Sequence, residues 1–270
     1  MIEIGKEFNI TKIGKARLHF PEMSLYGGRT PDIFTAIKNS ISNLDSRPYQ
    51  SFHFASAAVI VDCARSADLL STISRGLIFC DSRPMQLYLA MTRKSEEKFR
   101  QSRGTDFLRF CWEKSTEEMK HFLIVPNQET FDRLESAFYE FGSQGEVSGY
   151  LVPPITEDMK SVASDAVVLI KKTGANLVWI GIGAPKQIVL ADLISSMIPV
   201  VTVSIGGAME ILAGQRKEAP IILQRLSLEW IYRWAQEPKR LLHRYTIVNF
   251  RFSLLVIRDV FKSMLRKVQK

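Results

Sequence analysis

The sequence predicts an α/β fold that combines a mainly parallel sheet with a C-terminal helical appendage. From about residue 50 to residue 207, short apolar runs alternate with longer amphipathic stretches, which is the pattern of βα units around a parallel sheet. After Gly214 this alternation stops, and Leu, Ile, Trp and Tyr recur at helical spacing among arginines. We therefore expect an α/β core at residues 1–214 and a basic amphipathic helical appendage at residues 215–270.

The elements of the core follow from these runs and from the turn residues between them. The predicted strands contain SFHFAS, GLIFCD, HFLIVP, GEVSGYLV, NLVWIGIG and PVVTVSIGG. The predicted helices cover residues 31–44, 57–75, 84–92, 106–120, 128–141, 156–173 and 185–196. Gly142 and Gly174 stand where two of these helices end, as left-handed C-terminal caps prefer.

The composition indicates a folded protein whose basic character lies in its last fifth. The chain has 270 residues, is 46% hydrophobic, and is long enough for a sizeable core. Its net charge is +8, but residues 216–270 alone hold 13 Lys/Arg against 4 Asp/Glu, so the rest is almost neutral. A basic segment attracts nucleic acid, an anionic bilayer or a diphosphate substrate. No known nucleic-acid-binding module matches, so we expect no nucleic acid partner.

Several classes of protein are excluded by the patterns of cysteines, histidines and apolar runs. The three cysteines lack C-x-x-C spacing and the four histidines lack metal spacing, so we expect buried core cysteines, a reducing compartment and no metal. The charged N-terminus does not resemble a secretory signal. The least charged stretch, residues 193–209, contains Pro199 and Gly206-Gly207, so it favours a strand and a turn over a spanning helix. The chain is expected to be soluble or peripheral.

One candidate ligand site follows the apolar run LVWI. Ligands of open α/β sheets bind beyond the carboxyl ends of strands, where backbone N–H groups face anions. Here Gly183 would let the backbone approach a phosphate, Pro185 suits a first helical turn, and Lys186 and Gln187 offer donors. Gly181 and Gly183 could begin the G-x-G-x-x-G fingerprint of dinucleotide-binding proteins. Lys186, however, stands where that fingerprint requires its third glycine. An ordinary tight βα turn is the equal alternative.

A second glycine turn has the same position after another strand. Gly206-Gly207 ends the run VSIGG, and Glu210 follows on the first turn of the next predicted helix. An acidic residue there can accept hydrogen bonds from ribose hydroxyls. Taken alone, a surface glutamate after a glycine pair explains the pattern as well.

Asp81 and His53 lie near the ends of two further predicted strands. A carboxylate at the position of Asp81 could act as a general base, although an aspartate before Pro84 is also a favoured helix N-cap. His53 ends an apolar run, where a satisfied core or rim histidine is the simpler interpretation.

Three ordered blocks, GIGAPKQ, IGGAMEILAGQRKEAP and LSLEWIYRWAQEPKRLLHRY, resemble the WecG/TagA/CpsF glycosyltransferase family, glycosyltransferase family 26. Upstream, FCDSRPM is similar to the family's A-D-G-x-x active-site turn, and RGTDFL is similar to its G-[ST]-D-L segment. The resemblance covers about residues 50–260.

The resemblance implies an inverting glycosyltransferase with a Rossmann-like core and no metal or other cofactor. It would transfer a sugar from a UDP-sugar to a polyprenyl-diphosphate-linked sugar, at the cytoplasmic face of the inner membrane, in bacterial surface polysaccharide biosynthesis. The aromatic and basic C-terminal segment fits a helix lying on an anionic membrane, or a packed helix pair with a solvated basic face. The oligomeric state is left open, with a homo-oligomer among the options.

The resemblance also implies roles for individual residues. Asp81 becomes the general base. The nucleotide-binding set is Gly181, Gly183, Pro185, Lys186, Gln187, Gly206, Gly207 and Glu210. The arginines of the appendage that would neutralise the diphosphate are Arg233, Arg240 and Arg244. The residues expected near the acceptor or the sugar are His53, Arg83, Thr105 and Asp106.

Some positions depart from the family pattern. Residues His53, Phe54 and Ala55 occupy the family's T-x-N turn, and the arginine before G-[ST]-D is displaced to Arg100 or Arg103. Two alternatives therefore stay open: an NAD(P)- or nucleotide-dependent enzyme of another class, and a non-catalytic membrane-associated protein of a polysaccharide assembly complex.

Overall fold

The computed structural model describes residues 13–44, 50–92, 99–225, 229–236 and 238–268. An eight-stranded sheet with the strand order β1-β2-β4-β3-β8-β7-β5-β6 forms the centre of this part of the chain. Only β1 and β2 pair antiparallel, and every other neighbouring pair is parallel. The strands are β1 (Gly14–His19), β2 (Glu22–Gly27), β3 (Gln50–Ala55), β4 (Leu77–Cys80), β5 (Lys120–Ile124), β6 (Glu146–Leu151), β7 (Leu177–Ile180) and β8 (Val201–Ser204).

Helices cover both faces of the sheet and continue beyond it. Those of the core are α1 (Thr30–Ile41), α2 (Ala57–Cys63), α3 (Ala67–Ile73), α4 (Arg83–Met91), α5 (Gly104–Glu113), α6 (Gln128–Glu140), α7 (Met159–Thr173), α8 (Lys186–Met197) and α9 (Ala208–Leu212). The C-terminal segment forms α10 (Ile221–Arg225), α11 (Glu229–Gln236) and α12 (Pro238–Val268). The predicted α/β class with a mainly parallel sheet and C-terminal helices is confirmed.

The differences from the predicted elements have local causes. The predicted helix at 57–75 is two helices, because the Ser66 hydroxyl accepts a hydrogen bond from the Leu69 amide at 3.2 Å and starts α3. The predicted helix at 106–120 ends at Glu113, because Lys120 already belongs to β5. The β1–β2 hairpin was not predicted. The domain boundary near residue 214 stays a prediction.

The central strands are buried on both faces, as parallel strands between helices must be. Every residue of β4, β7 and β8 is buried. On one face, aromatic rings form a continuous stack in which Phe54 lies between Phe79 and Phe107, and Phe107 contacts Trp179. The other face packs against α8 and the C-terminal helix. The three cysteines are free and buried, which confirms their assignment to the core.

A buried aspartate attaches the C-terminal helix to the N-terminal hairpin. Asp259 of α12 is fully buried, and its carboxylate accepts hydrogen bonds from the backbone N–H groups of His19, at 2.6 Å, and Phe20, at 3.1 Å. The Tyr88 hydroxyl donates to the other carboxylate oxygen. Burial and this hydrogen bond both raise the pKa of Tyr88. Because a buried carboxylate is costly without partners, these three donors are what permits Asp259 at this position.

Replacing Asp259 by alanine should detach the C-terminal helix from the hairpin. The variant leaves two backbone N–H groups and the Tyr88 hydroxyl without an acceptor, so we expect a loss of about 2–4 kcal/mol in the free energy of unfolding. Urea unfolding and limited proteolysis of α12 measure the effect. Ser253→Ala, an exposed position on the same helix, is the matched control. Equal stability of Asp259→Ala and the control would contradict the attachment.

The buried histidines should make stability depend on pH. Burial lowers the pKa of His53 to about 4 and that of His121 to about 3. Between pH 6.5 and these values the unfolded chain binds protons that the folded chain excludes. The contribution of the two neutral histidines to the free energy of unfolding is therefore fully present above pH 6.5 and decreases as the pH falls. Each histidine contributes up to about 1.4 kcal/mol per pH unit.

Urea unfolding between pH 6.5 and pH 5, where most carboxylates are still ionised, tests this expectation. His121→Gln should be less stable at neutral pH, because His121 accepts a hydrogen bond from the Trp179 indole at 2.8 Å and contacts the Ser115 hydroxyl at 2.6 Å. Its dependence on pH should nevertheless be about half as steep as in the parent chain. A free energy of unfolding that stays constant over this pH range would contradict the expectation.

Candidate active site

Asp81 and the two glycine turns selected from the sequence lie at the carboxyl edge of the sheet. Strands β4, β3, β8 and β7 are consecutive neighbours there, with Ala55 opposite Cys80 and Ile180 opposite Ser204. Asp81 directly follows β4, one glycine turn follows β7, and the other follows β8. The two glycine turns therefore lie side by side, and Asp81 is two strands away from the Gly206 turn along the same edge.

The turn at 181–185 is closed from within by Gln187. The backbone amide of Gly183 donates to the Gln187 side-chain oxygen at 3.1 Å. The backbone amide of Gln187 donates to the Gly183 carbonyl at 3.0 Å. Gly183 has φ +89°, in the left-handed region that favours glycine. A Cβ on Gly181 would overlap the buried Met209 sulfur. Gln187 is itself only 3% exposed, so in this structure it shapes the turn.

Lys186 opens α8 and reaches across to the loop between β6 and α7. Its ammonium donates to the Thr156 carbonyl at 2.9 Å and pairs with the Glu157 carboxylate at 2.7 Å. The Glu157 side chain is 89% exposed, so this ion pair contributes little stability. Pro185 is the residue immediately before the first helical turn.

The second glycine turn carries an ion pair that the sequence did not reveal. Glu210 pairs with Arg216 at 3.1 Å, and the backbone amide of Arg216 donates to the Glu210 carbonyl at 3.1 Å. One guanidinium nitrogen lies 3.7 Å from where a Cβ on Gly207 would stand. Gly206 has φ +59° and faces the side-chain amide of Gln187. The side chain of Gln187 therefore lies against both glycine turns. The sequence feature that could have revealed this pair is Arg216, which comes two residues after Gly214.

The start of α5 completes the edge on the side away from α8. The Arg103 guanidinium bonds to both carboxylate oxygens of Asp106 at 3.1 Å and to Glu218 at 2.9 Å. Gly104 lies against Ile205, which follows β8, and Thr105 is buried. Of the two arginines considered for the displaced family position, Arg103 is thus the one that bridges α5 and the 215–219 segment.

Asp81 does not cap the helix that follows it. The cap of α4 is Ser82, whose hydroxyl accepts a hydrogen bond from the Met85 amide at 3.4 Å, so the alternative of Asp81 as the N-cap is wrong. The Asp81 amide donates to the Ala55 carbonyl at 3.0 Å, which fixes its backbone at the end of β3. Its half-buried side chain stands at the edge of the sheet. Arg83 donates to Gln86, three residues further along α4.

His53 lies inside the sheet and not at its edge. It is 1% exposed, two residues before the end of β3, and its Nδ1 lies 3.2 Å from the Ser204 hydroxyl. This burial agrees with the interpretation of His53 as a core histidine. Its predicted place in the vicinity of the acceptor or sugar stays a prediction.

The three appendage arginines fall on helices whose side chains are described only in part. Arg233 belongs to α11, and Arg240 and Arg244 belong to the first turns of α12. Their side chains lie outside the described residues, so their predicted role in neutralising a diphosphate stays a prediction.

The sequence of this chain matches a known protein family. The model of the glycosyl transferase WecG/TagA/CpsF family matches residues 25–266, from β2 into α12. The chain belongs to this family. It therefore has a glycosyltransferase-type activity in cell-surface polysaccharide biosynthesis. The match begins at residue 25, within β2, which is earlier than the motifs that carried the resemblance.

In the described ranges, no helix is both long enough and apolar enough to cross a membrane.

Proposed function

We propose that the chain transfers a sugar from a UDP-sugar, with inversion, to a polyprenyl-diphosphate-linked sugar during the assembly of a bacterial surface polysaccharide. The observation that carries this proposal is the common edge of the sheet. Two glycine turns lie there after the neighbouring strands β7 and β8, and the carboxylate of Asp81, which directly follows β4, lies two strands from the nearer turn.

The two glycine turns are the proposed site of UDP. The turn at 183 leads directly into α8, a helix of 12 residues, and the N-terminus of such a helix favours an anion. Lys186 stands on the first helical turn, and the Arg216 guanidinium lies over Gly207. The diphosphate would lie across Gly183 and Gly206-Gly207, with the ribose hydroxyls directed to Glu210.

Asp81 is the proposed general base. It would take the proton from the acceptor hydroxyl while that oxygen forms a bond to the anomeric carbon of the donor sugar. The bond between this carbon and the diphosphate oxygen breaks on the opposite face, so the configuration inverts and UDP leaves with the bonding electron pair. Asp81 ends as a carboxylic acid and returns its proton to water. A single positioned carboxylate is sufficient for this chemistry.

Arginines are the proposed means of neutralising the leaving diphosphate. Among the described residues, no group of three or more His, Cys, Asp or Glu side chains could hold a metal ion. Planar guanidinium groups bind phosphate oxygens in pairs, and they stay charged at any physiological pH. In this proposal Arg216 joins Arg233, Arg240 and Arg244 in that role.

The exposed face of α12 is the proposed contact with the anionic cytoplasmic face of the inner membrane. Large apolar side chains recur there at helical spacing and point away from the core, and Arg258 and Lys262 are exposed beside them. The only acidic residue from 238 to 270, Asp259, faces the opposite way and is buried. Such a helix suits the surface of an anionic bilayer. The apolar residues are Phe250, Leu254, Ile257, Phe261 and Leu265.

Asp81→Asn should abolish transfer without weakening UDP binding. Losing a general base typically lowers the turnover number by about 10²–10⁴-fold, whereas the nucleotide site is two strands away. Turnover is measured with UDP-sugars and a short polyprenyl-diphosphate-sugar acceptor, and UDP affinity is measured by calorimetry. The control is Asp165→Asn, an exposed position on α7. Unchanged transfer in Asp81→Asn would favour a non-catalytic role, and binding of NAD(P)H in place of UDP would favour another enzyme class.

Charged substitutions on the exposed face of α12 should release the chain from membranes. Ile257 and Phe261 are each 63% exposed, so Ile257→Asp with Phe261→Asp should keep the fold and lower binding to phosphatidylglycerol vesicles at least about tenfold. Co-sedimentation measures the bound fraction, and circular dichroism monitors the fold. The control is Val168→Asp with Ile155→Asp, two exposed apolar positions elsewhere. Equal vesicle binding by both double variants would refute the contact.

A further inference from the structure

The face of the sheet beneath α8 carries an unusual set of buried polar side chains. Ser51 and His53 lie on β3, and Thr202 and Ser204 lie at neighbouring positions on β8. All four are buried. Buried polar groups are tolerated where hydrogen bonds satisfy them. The hydrogen-bond partners of these side chains therefore indicate their structural role. The partners form two separate groups along α8.

The first group ties the sheet to the last turns of α8. The Thr202 hydroxyl donates to the Ser51 hydroxyl at 2.8 Å, and the Ser51 hydroxyl lies 3.0 Å from that of Ser195. The hydrogen bonds of these three side chains lie between β3 and β8 or involve the middle and last turns of α8. This group holds the helix on the sheet.

The second group ties the sheet to the first turn of α8. The Ser204 hydroxyl donates its single hydrogen to the Gln187 carbonyl at 3.1 Å. It can therefore only accept from His53, whose Nδ1 lies 3.2 Å away. Burial keeps His53 neutral at physiological pH by lowering its pKa to about 4, so the ring has one N–H group. Assigning that hydrogen to Nδ1 satisfies the network, and Nε2 is left without a partner.

The second group continues into the nucleotide turn through a single residue. Gln187, whose carbonyl is held by Ser204, accepts the Gly183 amide with its side chain at 3.1 Å. The same side chain lies 3.4 Å from the position of a Cβ on Gly206. A line of hydrogen bonds thus runs from the middle of β3 to the backbone of the first glycine turn.

We propose that His53 and Ser204 are positioning residues, which set the conformation of the 181–187 turn through Gln187 and thereby the affinity for the donor nucleotide. The nucleotide part rests on the function proposed above, whereas the effect on the turn does not. Neither residue touches the substrate.

The surrounding backbone is built to admit the imidazole. A Cβ on Gly76, the residue immediately before the neighbouring strand β4, would stand 2.7 Å from His53 Nε2 and 2.5 Å from the Ser51 carbonyl oxygen. Only glycine leaves this space. Because the amide nitrogen of asparagine occupies nearly the same place as Nδ1 of histidine, asparagine is the conservative replacement that keeps the donor.

The variants that test the proposal are His53→Ala, His53→Asn and Ser204→Ala, with Ser51→Ala as the matched control. Ser51 is buried on the same face of β3, but it bonds to the end of α8 and not to Gln187. Ser204→Ala removes only one hydroxyl, so it keeps the test valid if His53→Ala fails to fold. The first readout is amide hydrogen exchange of the segment 181–188 in the ligand-free protein. The second is UDP affinity, with KM for the donor and kcat.

We expect His53→Ala and Ser204→Ala to speed exchange in this segment and to raise the UDP Kd and the donor KM by about three- to tenfold, with kcat changed less than about twofold. His53→Asn should recover most of the loss. Ser51→Ala should lower global stability and leave the turn and the UDP Kd unchanged.

The outcomes separate this proposal from the function proposed above. If UDP fails to bind even the parent chain while the exchange pattern is as expected, the positioning role stands and the nucleotide assignment falls. If UDP binds and all four variants match the parent chain in exchange of this segment and in UDP Kd, the positioning role is overturned. It is also overturned if Ser51→Ala loosens the segment as much as Ser204→Ala does.

Discussion

The register between β7 and β8 is the constraint on which the site depends. With Ile180 opposite Ser204, the backbone amides of Ile205 and Gly206 both donate to the Ile180 carbonyl, at 3.0 and 3.4 Å. The two chains therefore leave the sheet at the same level and turn beside each other. Because every residue of both strands is buried, a shift by one residue would move each side chain to the opposite face of the sheet and disrupt its packing there. The position of the glycine turns is thus fixed by the core.

The other half of the edge is held by the same kind of backbone pairing. The Asp81 amide donates to the Ala55 carbonyl, and the Ser102 amide donates to the Cys80 carbonyl at 2.9 Å. Ladder-like bonds thus continue beyond the ends of β3 and β4 and bring the start of α5 to the edge. The C-terminal helix is tied to this half through the hairpin and Tyr88, since Asp259 bonds to both. Its exposed apolar face is therefore oriented by the sheet.

The sequence predicted the parts that depend on local patterns and missed those that depend on contacts between distant residues. The six core strands, the left-handed Gly142 and Gly174, and the edge position of Asp81 follow from short apolar runs and turn residues. The hairpin is a local exception: its strands, GKARLH and EMSLYG, contain no long apolar run, and their alternation of polar and apolar residues was not used as a strand signal. For His53, the residues alone favoured a core or rim histidine, and its burial agrees with that interpretation.

Two ion pairs of the site, Arg103–Glu218 and Lys186–Glu157, could not be predicted because their partners are distant in sequence. Arg103 and Glu218 are 115 residues apart, and nothing local joins them. Three cations beside the turns have carboxylate partners among the described residues: Glu157 for Lys186, Glu210 for Arg216, and Glu218 for Arg103. In the proposed reaction a diphosphate must compete with these carboxylates.

The burial of each carboxylate decides how that competition would proceed. Glu157 is almost fully exposed, so its release to water costs little, and Lys186 is the cation most easily transferred to a phosphate. The Glu210 and Glu218 side chains are 25% and 28% exposed, so a carboxylate left there without its arginine would be partly desolvated. A guanidinium has enough donors to keep its carboxylate and bind a phosphate oxygen as well. Arg216 would therefore bridge Glu210 and the diphosphate, whereas Lys186 would exchange one partner for the other.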